Sequence, residues 1–242
     1  MSLGKSLFSE RPPVVATLLF DGHTALDFIG PHTAFAGVGM EVHLVSETLR
    51  PVRTDTGFTI SPTTTFDDCP DRPDILFVPG GSVGEVMLDD RAIAFLVDRG
   101  EKAAYITSVC NGSLVLAAAG LLDGYRSATH WATREHLARL GVEVSTERVC
   151  VDRNRFSGGG VTAGIDFGLT IVAHILGEEP AKFCQLAMEY DPQPPFDAGS
   201  PESAGPAAVA RFDQLTAQFD ADFRNAVSRV LEKRAQHPQI TL

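Results

Sequence analysis

The chain has 242 residues, 44% hydrophobic and 21% charged, which suits a soluble globular protein with one substantial core. Its formal net charge of −11 argues against nucleic acid or anionic membrane partners, which need a basic face, and its longest apolar runs fall short of the ~18 residues of a membrane span. Cys69, Cys110, Cys150 and Cys184 show neither CxxC spacing nor clustered histidines, so no secreted disulfide framework or zinc site is expected, and reduced thiols in a cytoplasm are.

Residues 1–13 form a polar opening without a signal-peptide pattern and read as a disordered or expression-derived tail. Val14–Phe20 predicts a buried first strand, followed by a helix over Thr24–Ala36 that Gly30-Pro31 should interrupt. Val42–Val45 reads as a second strand, and the Thr-rich stretch from Pro51 to Phe66 as a small hairpin. Asp74–Val78 is another buried strand ending in Pro79-Gly80-Gly81, and a helix over Asp90–Arg99 leads to the strand Tyr105–Val109. Beyond Cys110, helices are predicted over Ser113–Ala119 and Thr133–Leu140, around a short strand Ser127–Thr129. Val142–Val144 and Val149–Val151 read as paired strands. After Gly158-Gly159-Gly160 come helices over residues 162–177 and 180–190. Asp191–Pro206, rich in Pro, Gly, Ser and Ala, reads as an ordered arm or linker. A long amphipathic helix closes the chain, with Phe212, Leu215, Phe219, Phe223, Val227 and Val230 spaced at threes and fours.

Apolar strands alternating with amphipathic helices predict an α/β fold, a doubly wound sandwich around a mostly parallel sheet. Residues 14–190 are assigned to that domain, and 191–242 to an arm and helix that either complete it or form a dimer interface. Ligands of such folds bind outside the carboxyl ends of the strands, where both Gly80-Gly81 and Cys110 fall, so one shared pocket is expected.

Cys110 sits where a strand meets a helix, a sharp turn that exposes a nucleophile at the top of a sheet. The following helix N-terminus is expected to favour its thiolate. Asp27, an acid among apolar residues after the first strand, reads equally well as a surface or capping aspartate and as a carboxyl sharing one proton with a thiol in a dry pocket. Gly80 and Gly81 allow close backbone approach and can turn an N–H toward developing negative charge. His130 reads as a structural histidine ahead of a catalytic base. The other cysteines read as small buried hydrophobes, and the remaining histidines show no metal spacing.

Leu26-Asp27-Phe28-Ile29-Gly30-Pro31, Asp74 through Gly81, Thr107-Ser108-Val109-Cys110-Asn111-Gly112-Ser113 and Ala119-Gly120-Leu121-Leu122-Asp123-Gly124 together resemble the ThiJ/PfpI superfamily. Ala128-Thr129-His130-Trp131, the run from Ser157 to Phe167, and Pro194-Pro195-Phe196-Asp197-Ala198-Gly199-Ser200-Pro201 are most similar to bacterial isocyanide hydratases. The resemblance implies a flavodoxin-like three-layer sandwich, usually a homodimer, with Cys110 as elbow nucleophile and Asp27 as general acid/base. It further implies cofactor-independent hydration of an isocyanide through a thioimidate. Asn111, Gly80, Gly81, Gly112 and His130 are then candidates to position the small-molecule substrate or water. Those hydratases carry threonine after the nucleophile, whereas this chain has Asn111. Two rivals keep the cysteine: a glyoxalase acting on 2-oxoaldehydes, whose relatives pair the nucleophile with an adjacent histidine, and a cysteine-based redox or ligand sensor.

Overall fold

The computed structural model describes residues 9–236, so residues 1–8 of the expected tail lie outside the described residues. Arg11 is already tied to the domain by an ion pair with Asp74 (3.1 Å). In chain order the first half comprises β1 (Val14–Leu18), α1 (Ala25–Gly37), β2 (Glu41–Ser46), the hairpin of β3 (Val52–Arg53) and β4 (Thr59–Ile60), β5 (Thr64–Thr65), β6 (Ile75–Val78), α2 (Asp90–Lys102) and β7 (Tyr105–Val109). The second half comprises α3 (Gly112–Ala118), β8 (Arg126–Ala128), α4 (Arg134–Arg139), β9 (Glu143–Ser145), β10 (Val149–Asp152), β11 (Arg155–Gly158), α5 (Ala163–Leu176), α6 (Glu178–Ala187), α7 (Pro201–Ala204) and α8 (Pro206–Gln236).

A seven-stranded sheet in the order β10-β11-β7-β6-β1-β2-β5 forms the middle layer, parallel throughout except for the β10–β11 edge pair. Its central strands are apolar on both faces, as a sheet covered on both sides requires. In β6, Ile75 and Phe77 enter one core with α1, α5 and α6, while Leu76 and Val78 enter the other with α2, α3, α4 and α8. The flavodoxin-like sandwich implied by the sequence is the observed architecture.

Two expectations are corrected. α1 runs unbroken through Gly30 and Pro31. The N–H missing from Pro31 leaves the Asp27 carbonyl without its helical partner, and α5 packs closely there. A side chain at Gly164 would come within 3.2 Å of Pro31 and 3.3 Å of the Asp27 carbonyl. Nor do Val142–Val144 and Val149–Val151 pair with each other. β9 instead adds in parallel to β8, and β10 turns through Arg153 (φ +54°) into an antiparallel pair with β11.

The C-terminal half of α8 closes the core over α3 and α4, burying Phe223, Ala226, Val227 and Val230. Its first half does not, since Leu215 is 68% and Phe219 54% exposed. No helix among the described residues is long and apolar enough to cross a membrane.

Candidate active site

The end of β7 and the start of α3 force Cys110 into the left-handed region (φ +56°), rare for a residue with a side chain and characteristic of a nucleophile elbow. The turn is held on all sides. Cys110 N–H donates to the Gly158 carbonyl (3.0 Å), and the Cys110 carbonyl accepts from the hydroxyls of Thr129 (3.2 Å) and Ser113 (3.3 Å). Gly112 packs so tightly under the elbow that a side chain there would come within 2.7 Å of the Pro79 carbonyl oxygen.

Asp27, in the first turn of α1, is fully buried beside this turn. Its Oδ2 accepts from Gly80 N–H (2.8 Å), Oδ1 has no hydrogen-bond partner among the described residues, and the carboxyl interacts electrostatically with the Cys110 side chain. A buried carboxylate with one bare oxygen is costly, and loss of solvation pushes the Asp27 carboxyl up to about 7. Burial also pushes the Cys110 thiol well above its usual range, with the neighbouring Asp27 charge adding to it and the Asn111 N–H opposing. The expectation that the helix N-terminus would favour the thiolate is therefore corrected: desolvation and a facing acid outweigh the helix. Asp27 is thus buried beside the elbow, where the shared-proton reading needs it and a surface aspartate would not be.

Gly80 and Gly81 reach the site, but their amides are occupied. Gly80 N–H holds Asp27, and Gly81 N–H donates to Asn111 Oδ1 (2.7 Å) while Asn111 Nδ2 donates back to the Gly81 carbonyl (3.0 Å). Asn111 thus engages both ends of its amide on one residue, Gly81, fastening the β6 loop onto the elbow. Both glycines are required. A Cβ at Gly80 would collide with Asn111 Oδ1 and come within 2.7 Å of Asp27 Oδ2. At Gly81 (φ +132°) an added Cβ would stand 2.7 Å from the His23 and Thr24 backbone.

Cys110 and Asn111 form the floor of a cavity of about 780 Å³ that also takes in Thr24, Asp55, His130 and Trp131. His130 Nδ1 accepts from Ala132 N–H (3.3 Å), so the neutral ring carries its proton on Nε2, and burial lowers its pKa. Among the described residues it makes no hydrogen bond with Cys110, in keeping with a wall residue and not a base. Sequence reasoning missed Thr24, whose hydroxyl donates to Asp55 (2.8 Å), and Phe212 of α8, whose ring lies 4.7 Å from that of Trp131. The spacing of Phe212 in the α8 stripe was legible. Its approach to a residue 81 positions earlier in the chain was not.

Residues 14–174, more than half the chain, match the DJ-1/PfpI family. The chain belongs to that family. It is 47% identical over 197 residues to isonitrile hydratase from Pseudomonas putida, spanning 81% of this chain and 86% of that one. It is 35% identical over 150 residues to an HTH-type transcriptional regulator from Pseudomonas aeruginosa, a match that spans 60% of this chain and 39% of the regulator. The crystal structure of a ThiJ/PfpI family protein from Pseudomonas syringae superposes with a TM-score of 0.86 at 43% identity, covering 90% of this chain and 91% of that one. The DJ-1/PfpI match contains the elbow, Asp27 and both glycines, whereas α8 lies beyond it.

Proposed function

We propose that this DJ-1/PfpI protein hydrates isocyanides to N-substituted formamides with Cys110 as nucleophile and Asp27 as acid and base. The observation that carries the reading is the buried Cys110–Asp27 pair on a strained elbow, in a chain 47% identical to an isonitrile hydratase over most of both lengths.

The ionised Asp27 carboxylate takes the thiol proton as sulfur attacks the terminal carbon of the isocyanide. The resulting acid returns that proton to the same carbon, giving a thioimidate in which carbon bears one hydrogen and sulfur. Water then adds across the C=N bond with a proton passing to nitrogen. The tetrahedral adduct collapses by C–S cleavage, releasing the formamide and restoring the thiol. A carboxyl whose pKa lies near 7 is matched to both transfers at neutral pH. Splitting the hydration into two steps through a covalent adduct is what a thiol contributes.

The test is formamide production from an aryl isocyanide by wild type, Cys110→Ala and Asp27→Asn. Loss of turnover in the first variant and a decrease of about 10²-fold or more in the second are expected. Full activity of Cys110→Ala overturns the reading.

A further inference from the structure

The catalytic pair occupies one end of the cavity, and the rest of that space has no part in the chemistry. At about 780 Å³ the cavity is of the size that encloses ligands with ring systems, far more than an isocyano group on a small alkyl chain fills. Its far wall is aromatic. Phe212 lies 4.7 Å from Trp131 and stacks on His130 at 6.2 Å and 28°, yet Trp131 and Phe212 both keep part of their surface open. Rings that pack against one another while lining a cavity beside a nucleophile present an unfilled apolar surface to whatever occupies it.

Phe212 is there because α8 is anchored from its other end. Phe223, Ala226, Val227 and Val230 are buried, Asp220 pairs with the buried His136 (2.8 Å), and Lys233 pairs with Asp90 (2.7 Å). With that half fixed, the first half of a 31-residue helix overhangs the elbow. The whole wall element lies beyond residues 14–174, the part that matches the DJ-1/PfpI family.

Resting on the hydratase reading, we infer that α8 adds a substrate-selecting subsite to the family core: Phe212, Trp131 and His130 receive the N-substituent of the isocyanide, and they select a neutral aryl group over a small alkyl one. Phe212 is the specificity-determining residue, acting by ring contact with the substituent and not on the reacting atoms.

The test compares kcat/KM for phenyl and ethyl isocyanide in wild type, Phe212→Ala and Leu215→Ala, the last altering an exposed residue of the same helix that does not line the cavity. The phenyl-to-ethyl ratio is expected to fall about tenfold in Phe212→Ala, chiefly through KM, and to stay at the wild-type value in Leu215→Ala. An unchanged ratio in Phe212→Ala, or an equal fall in Leu215→Ala, overturns the subsite. A second readout separates this from the hydratase reading. Trp131 is the single tryptophan of the chain, so its fluorescence reports formanilide binding directly in Cys110→Ala protein. Saturable quenching that weakens about tenfold on adding Phe212→Ala supports the subsite even if no isocyanide is turned over. Absence of binding, or binding indifferent to Phe212, overturns it.

Discussion

Asn111→Ala tests the claim that Asn111 works on the protein and not on the substrate. The substitution removes two hydrogen bonds to the backbone of Gly81, the 2.7 Å bond from its N–H and the 3.0 Å bond to its carbonyl. Each such bond contributes about 1 kcal/mol net, and an orphaned buried partner adds to the loss. Asn111 lines the cavity, so water can reach the vacated peptide, which keeps the total near about 2 kcal/mol. In a domain of this size that lowers Tm by roughly 4–8 °C. Thermal unfolding by calorimetry reads the first consequence. The second is catalytic: with the β6 loop unfastened, Gly80 N–H no longer holds Asp27 Oδ2 in one place, so kcat should fall more than KM changes. A Tm within about 1 °C of wild type, or a loss confined to KM, would refute the clamp and return Asn111 to a substrate contact.

Gly80→Ala should abolish turnover, because its Cβ would strike Asn111 Oδ1 and stand 2.7 Å from Asp27 Oδ2, and should lower stability by roughly 1–3 kcal/mol in denaturant titration. The rate kcat/KM should rise with pH through about 7, where the Asp27 carboxyl ionises and becomes able to accept the thiol proton; a flat profile over that range argues against Asp27 as base. Stability carries the opposite slope. The folded state keeps a proton up to about 7 that the unfolded aspartate releases near ~4, so unfolding free energy falls as pH rises across that window, and Asp27→Asn should flatten the curve. Iodoacetamide should label Cys110 slowly at neutral pH and faster as pH increases, with Asp27→Asn speeding the neutral reaction; rapid, pH-independent labelling would reveal a standing thiolate. Phe167→Ala, which deletes a fully buried ring stacked on Phe77 at 5.4 Å, should cost about 3–5 kcal/mol in the same titration while leaving the elbow sequence untouched.

Much of this architecture was legible because both faces of the sheet are covered. Ile75–Val78 is buried at every position, so it reads as an uninterrupted apolar run that amphipathic periodicity could not counterfeit. Cys110 was legible as an elbow because strand-forming and helix-forming runs meet at it with no room for a loop. What escaped depends on partners distant in the chain. Gly30-Pro31 reads as a break until the glycines of α5 are seen packing against it, Gly164 within 3.2 Å and Gly168 within 3.0 Å of Pro31 for an added Cβ. Val142–Val144 and Val149–Val151 have hairpin spacing, and only the sheet reveals that each already has another neighbour. The Cys110 thiol was misjudged for the same reason: a helix N-terminus is local and visible in sequence, whereas desolvation and the carboxyl of Asp27 come from tertiary packing.

That misjudgment bears on what the site is for. A redox sensor needs a thiolate at rest, since the thiolate is the species that peroxide oxidises. Here burial and the Asp27 charge both oppose the anion and push the thiol upward. Under the proposed hydration the thiol proton needs an acceptor during attack, and the terminal carbon of an isocyanide, once bonded to sulfur, is such an acceptor. The 2-oxoaldehyde chemistry of the glyoxalase rival relies in its relatives on a histidine next to the nucleophile. In this chain that position holds Asn111, fastened to Gly81 at both ends, and the histidine lining the cavity has Nδ1 tied to the Ala132 N–H. In the proposed hydration Asp27 would take the Cys110 thiol proton as a base and return it to carbon as an acid, which is what adding H–S and then water across a single carbon requires.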